Sequence, residues 1–348
     1  MKTVVSVNEI SEFEIKPQAE LGEWKKLVEN EVTTQWGNQP GWVKVPCPVC
    51  KSDESTYAFN KLVFSYVECN NCKTLFAQSR PGENELSNWY KNSESAKFWQ
   101  EKLLKLSAAS RNAKIIEPRS QWILDGISEY MAHIRVADIK YTDISFFGKM
   151  LIDKVAELSS DMAITSAGVT ADRETYESNG ITVNTLASVD DLSGLQNTDI
   201  LVAIDVLDRI ASIDRFFDQI DTIVNPGGLV FATCPVSSGF EIQSLWDKSP
   251  SILPPDKLNL PSVKGLIKLF SSSPKWEVLE LSTPGMFDVE LVRQALLHSP
   301  KELWPRSLHA LLDGINNQGA GLFTEYLQSQ RLSSFARIVL RRENDKIL

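Results

Sequence analysis

Four of the five cysteines fall within 26 residues, as Cys47-Pro-Val-Cys50 and Cys69-Asn-Asn-Cys72 with 18 residues between the pairs. A C-x2-C turn brings two thiolates to one point. Two such turns roughly 15–20 residues apart complete a tetrahedral S4 site with the spacing of a zinc ribbon. The chain shows no charged-then-apolar export signal, which argues against two disulfides and for a metal. With Cys47, Cys50, Cys69 and Cys72 all acting as ligands no coordination position stays open, so the expected zinc is structural. Between the pairs, residues 56–59 and 63–68 read as two short strands. Gly often follows the second Cys of such a turn; here Lys51 and Lys73 stand there. The fifth cysteine, Cys234, lies in the apolar run 229–234 and reads as a core thiol.

At 348 residues the chain has room for about two domains. Its 43% apolar and 23% charged content excludes disordered, collagenous and disulfide mini-protein classes. The net charge of −9 argues against a protein that coats nucleic acid. Within 43–82, Lys44, Lys51, Lys61, Lys73 and Arg80 face Asp53, Glu54 and Glu68, a balance too mild for a phosphate-binding surface. No nucleic-acid partner is expected. No apolar run approaches the roughly 18–20 residues of a membrane span, so no membrane partner is expected and a cytoplasmic location is.

The chain divides into an N-terminal extension (1–42), the ribbon (43–82), a helical linker (83–132) and a larger unit (133–348). In the extension, 4–15 could form a strand or arm and 20–35 a helix with Trp24, Leu27, Val28 and Glu31 on one face. In the linker, Leu86, Trp89, Tyr90, Phe98, Leu103, Leu104 and Leu106 recur near a period of about 3.6; Pro118 breaks the run, and a second helix is expected over 118–131. From Ile134 the period changes. Strands are expected at 135–139, 162–166, 181–186, 199–204, 228–234, 276–281 and 335–341. Helices are expected at 145–158, 172–179, 213–224 and 262–271, with a helical insertion at 284–332. This alternation predicts a doubly wound, Rossmann-like α/β sheet that takes its ligand beyond the carboxyl ends of its first strands.

The pieces stand in an order that resembles class I S-adenosylmethionine (SAM)-dependent methyltransferases, in particular bacterial ones with an N-terminal zinc ribbon that often act on sugars or glycans. The resemblance runs from about 43 to 341. It is carried by the ribbon with Ser79-Arg80-Pro81 after it, Lys114-Ile-Ile-Glu-Pro-Arg119, Val136-Ala-Asp-Ile139, Asp205-Val-Leu-Asp-Arg-Ile210, Asn225-Pro-Gly-Gly228 and Pro254-Pro-Asp-Lys-Leu-Asn259. It implies SAM as cofactor, a small molecule or glycan as substrate, and cofactor contacts at Asp138, Ile139, Lys140, Thr142, Ser166 and Asp205.

The sequence departs from that family where the cofactor would lie. The family's first loop reads Asp-x-Gly-x-Gly; aligned on Asp138, this chain has Lys140 and Thr142 at the glycine positions. A lysine there would repel the sulfonium by about 1 kcal/mol at about 4 Å, even with water-like screening. The second strand ends near Ser166 with no acid for the ribose hydroxyls. The family's Glu-x-x-Glu-His becomes Asp205, Asp208 and Arg209, and a later His becomes Lys257. The three histidines, His133, His298 and His309, read as surface or packing residues. These changes gather on the ligand side, which predicts a preserved fold with a damaged or rebuilt SAM pocket. Three functions stay open. One is an active methyltransferase, and the second a catalytically inactive scaffold or partner-binding protein. The third is an enzyme using the pocket for another ligand, such as a phosphorylated or nucleotide-linked sugar, with Lys140 and the helix start at Ser145 holding its anion. Trp89, Tyr90, Phe98 and Trp99 could line a sugar site or pack in the core.

Overall fold

The computed structural model describes residues 1–5, 10–39, 41–168, 181–186, 188, 190–195, 197–300 and 303–343. Its centre is a seven-stranded sheet made of β1 (Lys140–Asp143), β2 (Ala163–Gly168), β3 (Thr182–Thr185), β4 (Thr198–Ile204), β5 (Val224–Pro235), β6 (Trp276–Ser282) and β7 (Phe335–Arg342). The order across the sheet is β6-β7-β5-β4-β1-β2-β3. The strands β5, β4, β1, β2 and β3 are parallel, and β7 runs antiparallel to both of its neighbours. Strand order reverses between β1 and β4, so the doubly wound architecture expected from the sequence is present with its switch point there.

Strand β4 shows why the sheet is covered on both sides. Ile200, Val202 and Ile204 belong to one core layer, with Ile123, Ile127, Ile152, Val155 and Phe231. Leu201 and Ala203 point into the other, with Phe216, Ile220, Val230 and Leu266. A period of two thus sends an unbroken apolar run into two cores. The flanking helices include α1 (Gln18–Trp36), α2 (Glu83–Asn92), α3 (Glu117–Tyr130), α4 (Lys149–Leu158), α5 (Ile213–Ile223) and α6 (Val263–Ser271). Helix α5 buries Ile213, Phe216, Ile220 and Ile223 on one stripe, and its start is capped by the Ser212 hydroxyl, which accepts from the Arg215 amide. Helix α3 lies so close to the sheet that a Cβ on Gly126 would sit 2.8 Å from the Phe231 ring.

The ribbon consists of antiparallel strands Ser55–Lys61, Phe64–Cys69 and Leu75–Ala77, extended at one edge by Asn259–Leu260 from the far end of the chain. Its core is continuous with the layer of the large sheet that holds Leu201 and Ala203.

Several sequence expectations shift. The expected strand at 135–139 is instead a tight turn at Val136–Asp138, and the first strand begins at Lys140. The apolar look of that segment misleads: Val136 is exposed, and Asp138 is tied to Arg135 at 2.8 Å. Tyr141 and Thr142 form the strand because β2 and β4 offer hydrogen-bond ladders on both sides. The helix expected from 145 starts at Lys149. Pro118 does not end the linker's helical run; it sits in the first turn of α3, where its missing N–H costs nothing. In the extension, the arm expected at 4–15 holds the short helix Glu12–Ile15, while the Lys2 amide donates to the Leu279 carbonyl on β6. The helix expected at 172–179 lies outside the described residues.

Candidate functional site

The metal-type cluster is fully assembled. The Sγ atoms of Cys47, Cys50, Cys69 and Cys72 all lie within 4.8 Å of one another, and none of these cysteines is in a disulfide. Each knuckle is closed by backbone: the Lys51 amide donates to the Cys47 carbonyl at 2.9 Å, and the Lys73 amide to the Cys69 carbonyl at 3.0 Å. Lys51 and Lys73 take φ of +58° and +62°, the left-handed conformation that explains why glycine suits these positions. The donor set fits a thiolate-binding ion in tetrahedral geometry with no open position.

The residues expected to contact a cofactor separate. Asp138 is exposed and paired with Arg135, and Ile139 is buried in the core. The Lys140 amide donates to the Asp199 carboxylate at 2.9 Å, at the amino end of β1, and Thr142 is buried within the strand. All four therefore lie at or before the strand, not in the loop after it. Lys140 and Ser145 sit about 16 Å apart along the extended chain, so they do not share an anion. Ser166 is inside β2, opposite Asp143, and β2 continues to Gly168. Asp205 alone stands where expected, directly after β4, with φ +56°.

The loop that does leave β1 at its carboxyl end is Asp143-Ile-Ser-Phe-Phe-Gly148, and no glycine precedes Gly148 in it. The Ser145 amide donates to the Asp143 carboxylate at 2.8 Å, and the Ser145 hydroxyl accepts from the Ile204 amide at 3.0 Å. This straps the ends of β1 and β4 together. Phe146 is buried at the switch point, edge-on to Tyr90 at 4.9 Å and under the Arg209 guanidinium at 4.9 Å. Phe147 takes φ +52°, which a glycine would adopt without strain. Two phenylalanines thus occupy the loop after β1, one of them buried at the switch point.

Charges organise around that stack. Arg209 bonds Asp208 at 3.2 Å and Asp256 at 3.1 Å, and its Nη1 donates to the Asp205 carbonyl at 2.7 Å. Burial opposes its charge, yet Asp256, Asp208 and Asp205 raise its pKa above the usual guanidinium value. Lys257, where the family has His, pairs with Asp208. Burial also disfavours the Asp205 carboxylate, but Arg119, Lys257 and Arg209 outweigh it and hold Asp205 below the ordinary range.

Beside the stack, over the carboxyl ends of β4 and β5 and the start of β7, opens a cavity of about 360 Å³. Trp24 and Trp99 form an aromatic wall with ring centroids 4.7 Å apart, while Trp89 and Tyr90 are core residues. Arg111, Arg119 and Arg337 line the same cavity and were not singled out from the sequence as a group. No histidine lines it; His133 and His298 are exposed, and His309 lies 3.4 Å from Asp313 on its own helix turn.

No protein-family profile matches the chain, and no curated protein matches it. Among solved structures, a protein from Galdieria sulphuraria assigned as a sarcosine dimethylglycine methyltransferase is 13% identical, with 65% of this chain and 86% of that one covered at TM-score 0.43. The plantazolicin methyltransferase BpumL, in complex with S-adenosylhomocysteine (SAH) and a monoazolic substrate analogue, is 10% identical, covering 75% and 95% at 0.45. Coclaurine N-methyltransferase with N-methylheliamine and SAH is 14% identical, covering 64% and 72% at 0.41. At such scores the likeness carries no argument about chemistry.

Proposed function

We propose that this chain is a SAM-dependent methyltransferase-like protein, related to sugar, glycan or small-molecule methylation, in which the SAM crevice has been closed and transfer of a methyl group from SAM has been lost. The observation that carries the reading is Phe146, packed between Tyr90 and Arg209 at the switch point of the sheet. A cofactor at that point would have to displace a buried aromatic contact and a guanidinium held by two carboxylates. Calorimetric titration with SAM and with SAH tests this directly. No heat is expected up to millimolar ligand; micromolar binding of either would overturn the reading and restore an active methyltransferase.

The four cysteines hold one structural zinc in this proposal, with no part in chemistry, and reduced thiols suit a cytoplasmic protein. Among the described residues no helix is long and apolar enough to cross a membrane. We assign neither a membrane nor a nucleic-acid partner. A second reading, a partner-binding scaffold, is favoured by the helices between β6 and β7, where Leu297, Leu311, Leu322 and Tyr326 are exposed. Light scattering over a concentration series, alone and with a Leu322→Glu variant, tests whether that face associates with a second copy.

A further inference from the structure

The cavity beside the closed crevice collects positive charge in a chain whose net charge is −9. Three guanidiniums reach it from three elements: Arg111 from the helix Ala108–Arg111, Arg119 from α3 and Arg337 from β7. Among the described residues none of the three makes an ion pair. Arg111 is steadied by neutral groups, donating to the Ile15 carbonyl at 3.1 Å and the Ser107 hydroxyl at 3.0 Å. Arg337 lies over the Trp122 ring at 5.1 Å. Arg119 has no hydrogen-bond partner among the described residues, and its charge acts on both of the others. Burial and the charge of Arg119 together push both Arg111 and Arg337 down to about 10.

The acids in the same cavity do not neutralise this cluster. Glu12 pairs with Lys16 at 2.7 Å, and Asp256 with Arg209 at 3.1 Å. Asp288 accepts from the Ser333 and Ser334 hydroxyls at 2.5 Å and 2.6 Å and from two backbone amides. Glu241 accepts from the Ser249 hydroxyl at 2.6 Å, and burial raises it to about 7. Within the cavity Asp205 is the carboxylate whose charge answers Arg111 and Arg119, and Lys257 and Arg209 share it; from outside the cavity Asp143 also acts on Arg119 and Glu280 on Arg337. Like charges gathered in a half-buried cavity cost stability unless a counter-charge arrives from outside. Guanidiniums are the groups that grip oxyanions through paired N–H donors.

We propose that this cavity is a binding site for a small molecule carrying a multiply charged oxyanion, phosphate ester or carboxylate, with Arg111, Arg119 and Arg337 on the anion and the Trp24–Trp99 wall against its body. Arg111 lies over the Trp99 ring at 5.6 Å, so an occupant drawing on Arg111 also changes the surroundings of that indole. The three arginines stand apart from the Phe146 stack: the Asp143–Gly148 loop does not line the cavity, although Asp205 and Arg209 do. Titrations with SAM and with an anion therefore fail or succeed separately.

The test uses the full chain and two probes, inorganic pyrophosphate and citrate, followed by calorimetry and tryptophan fluorescence at fixed ionic strength. Submillimolar binding of one or both is expected, weakened at least about tenfold in Arg119→Gln and in Arg337→Gln. Lys275→Gln, which removes a charge paired with Asp221 on the surface, should leave it unchanged. Pyrophosphate alone binding would identify a phosphorylated ligand, and citrate alone a polycarboxylate. Without any probe, Arg119→Gln should melt no lower than wild type, since it removes a repelling charge. Wild type that binds neither probe up to about 10 mM, or binding equal in all variants, would overturn the proposal.

Discussion

Replacing Arg80 by Met should separate the ribbon's hold on the sheet from its hold on metal. Arg80 is fully buried where the two parts meet. Its Nε and Nη2 donate to the Ala77 carbonyl at 2.8 Å and 2.6 Å, and its Nη1 donates to the Asn259 side-chain oxygen at 2.8 Å. Weaker bonds reach the Ala211 carbonyl at 3.3 Å and the Leu258 carbonyl at 3.4 Å. Asn259 in turn donates to the carbonyls of Leu207 and Ile210 at 3.1 Å and 2.7 Å, fixing the turn that carries Asp208 and Arg209. Burial pushes Arg80 down to about 10, so it stays charged at neutral pH. Methionine keeps the aliphatic stem but strands two buried acceptors, Ala77 O and Asn259 Oδ1. Each orphan costs about 1–3 kcal/mol, and losing the desolvation of the guanidinium offsets part of the sum, leaving about 3 kcal/mol. For a chain of this size, with an unfolding entropy of about 0.7 kcal/mol/K, that lowers Tm by about 4 °C, measured by scanning calorimetry. Metal content should be unchanged, because none of the four thiols touches Arg80 in a hydrogen bond. A melt within about 1 °C of wild type would refute the argument that this side chain joins the two parts.

Two further outcomes follow from the same structure. Glu241 is buried, Oε2 has no partner, and burial raises its pKa to about 7. The folded state therefore holds a proton that the unfolded chain releases near its ordinary pKa of about 4.3, so this contribution is complete below about pH 4 and lost as pH rises to 7, by about 4 kcal/mol in all. Urea melts of Glu241→Gln and wild type should differ more in the variant's favour at pH 8 than at pH 5; an equal difference at both would count against it. Cys69→Ser should bring metal content well below one ion per chain and lower Tm by more than Arg80→Met does; retained metal would show that the cluster is not the ligand set.

The cysteine spacing, the apolar strands at 199–204 and 335–341, and the capped helix at 213–224 were legible because each is a local rule. Thiolates need close spacing, a doubly covered strand needs a continuous apolar run, and an amphipathic helix needs its stripe. The second helix expected from Pro118 is present as Glu117–Tyr130, but the run before it continues into it, because Pro118 sits in the first turn where no N–H is needed.

The first strand was misplaced by a few residues for a related reason. Lys140-Tyr-Thr-Asp143 has no apolar signature of its own and becomes a strand through ladders supplied by β2 and β4. That shift moved every residue assigned to the cofactor loop. The loop that does follow the strand, Asp143-Ile-Ser-Phe-Phe-Gly148, holds no glycine before Gly148. What the sequence by itself determined was the metal-type cluster, the fold class and the absence of the family's glycine loop, all properties of neighbours along the chain. Only the tertiary structure decided that Phe146 fills the switch point and that Arg111, Arg119 and Arg337 meet in one cavity. Those arginines are separated by up to 226 residues in sequence. Like charges carry no local signal that they will converge; the packing of α3 across β5 and β7, with Trp122 against Phe231 and Arg337, brings them together.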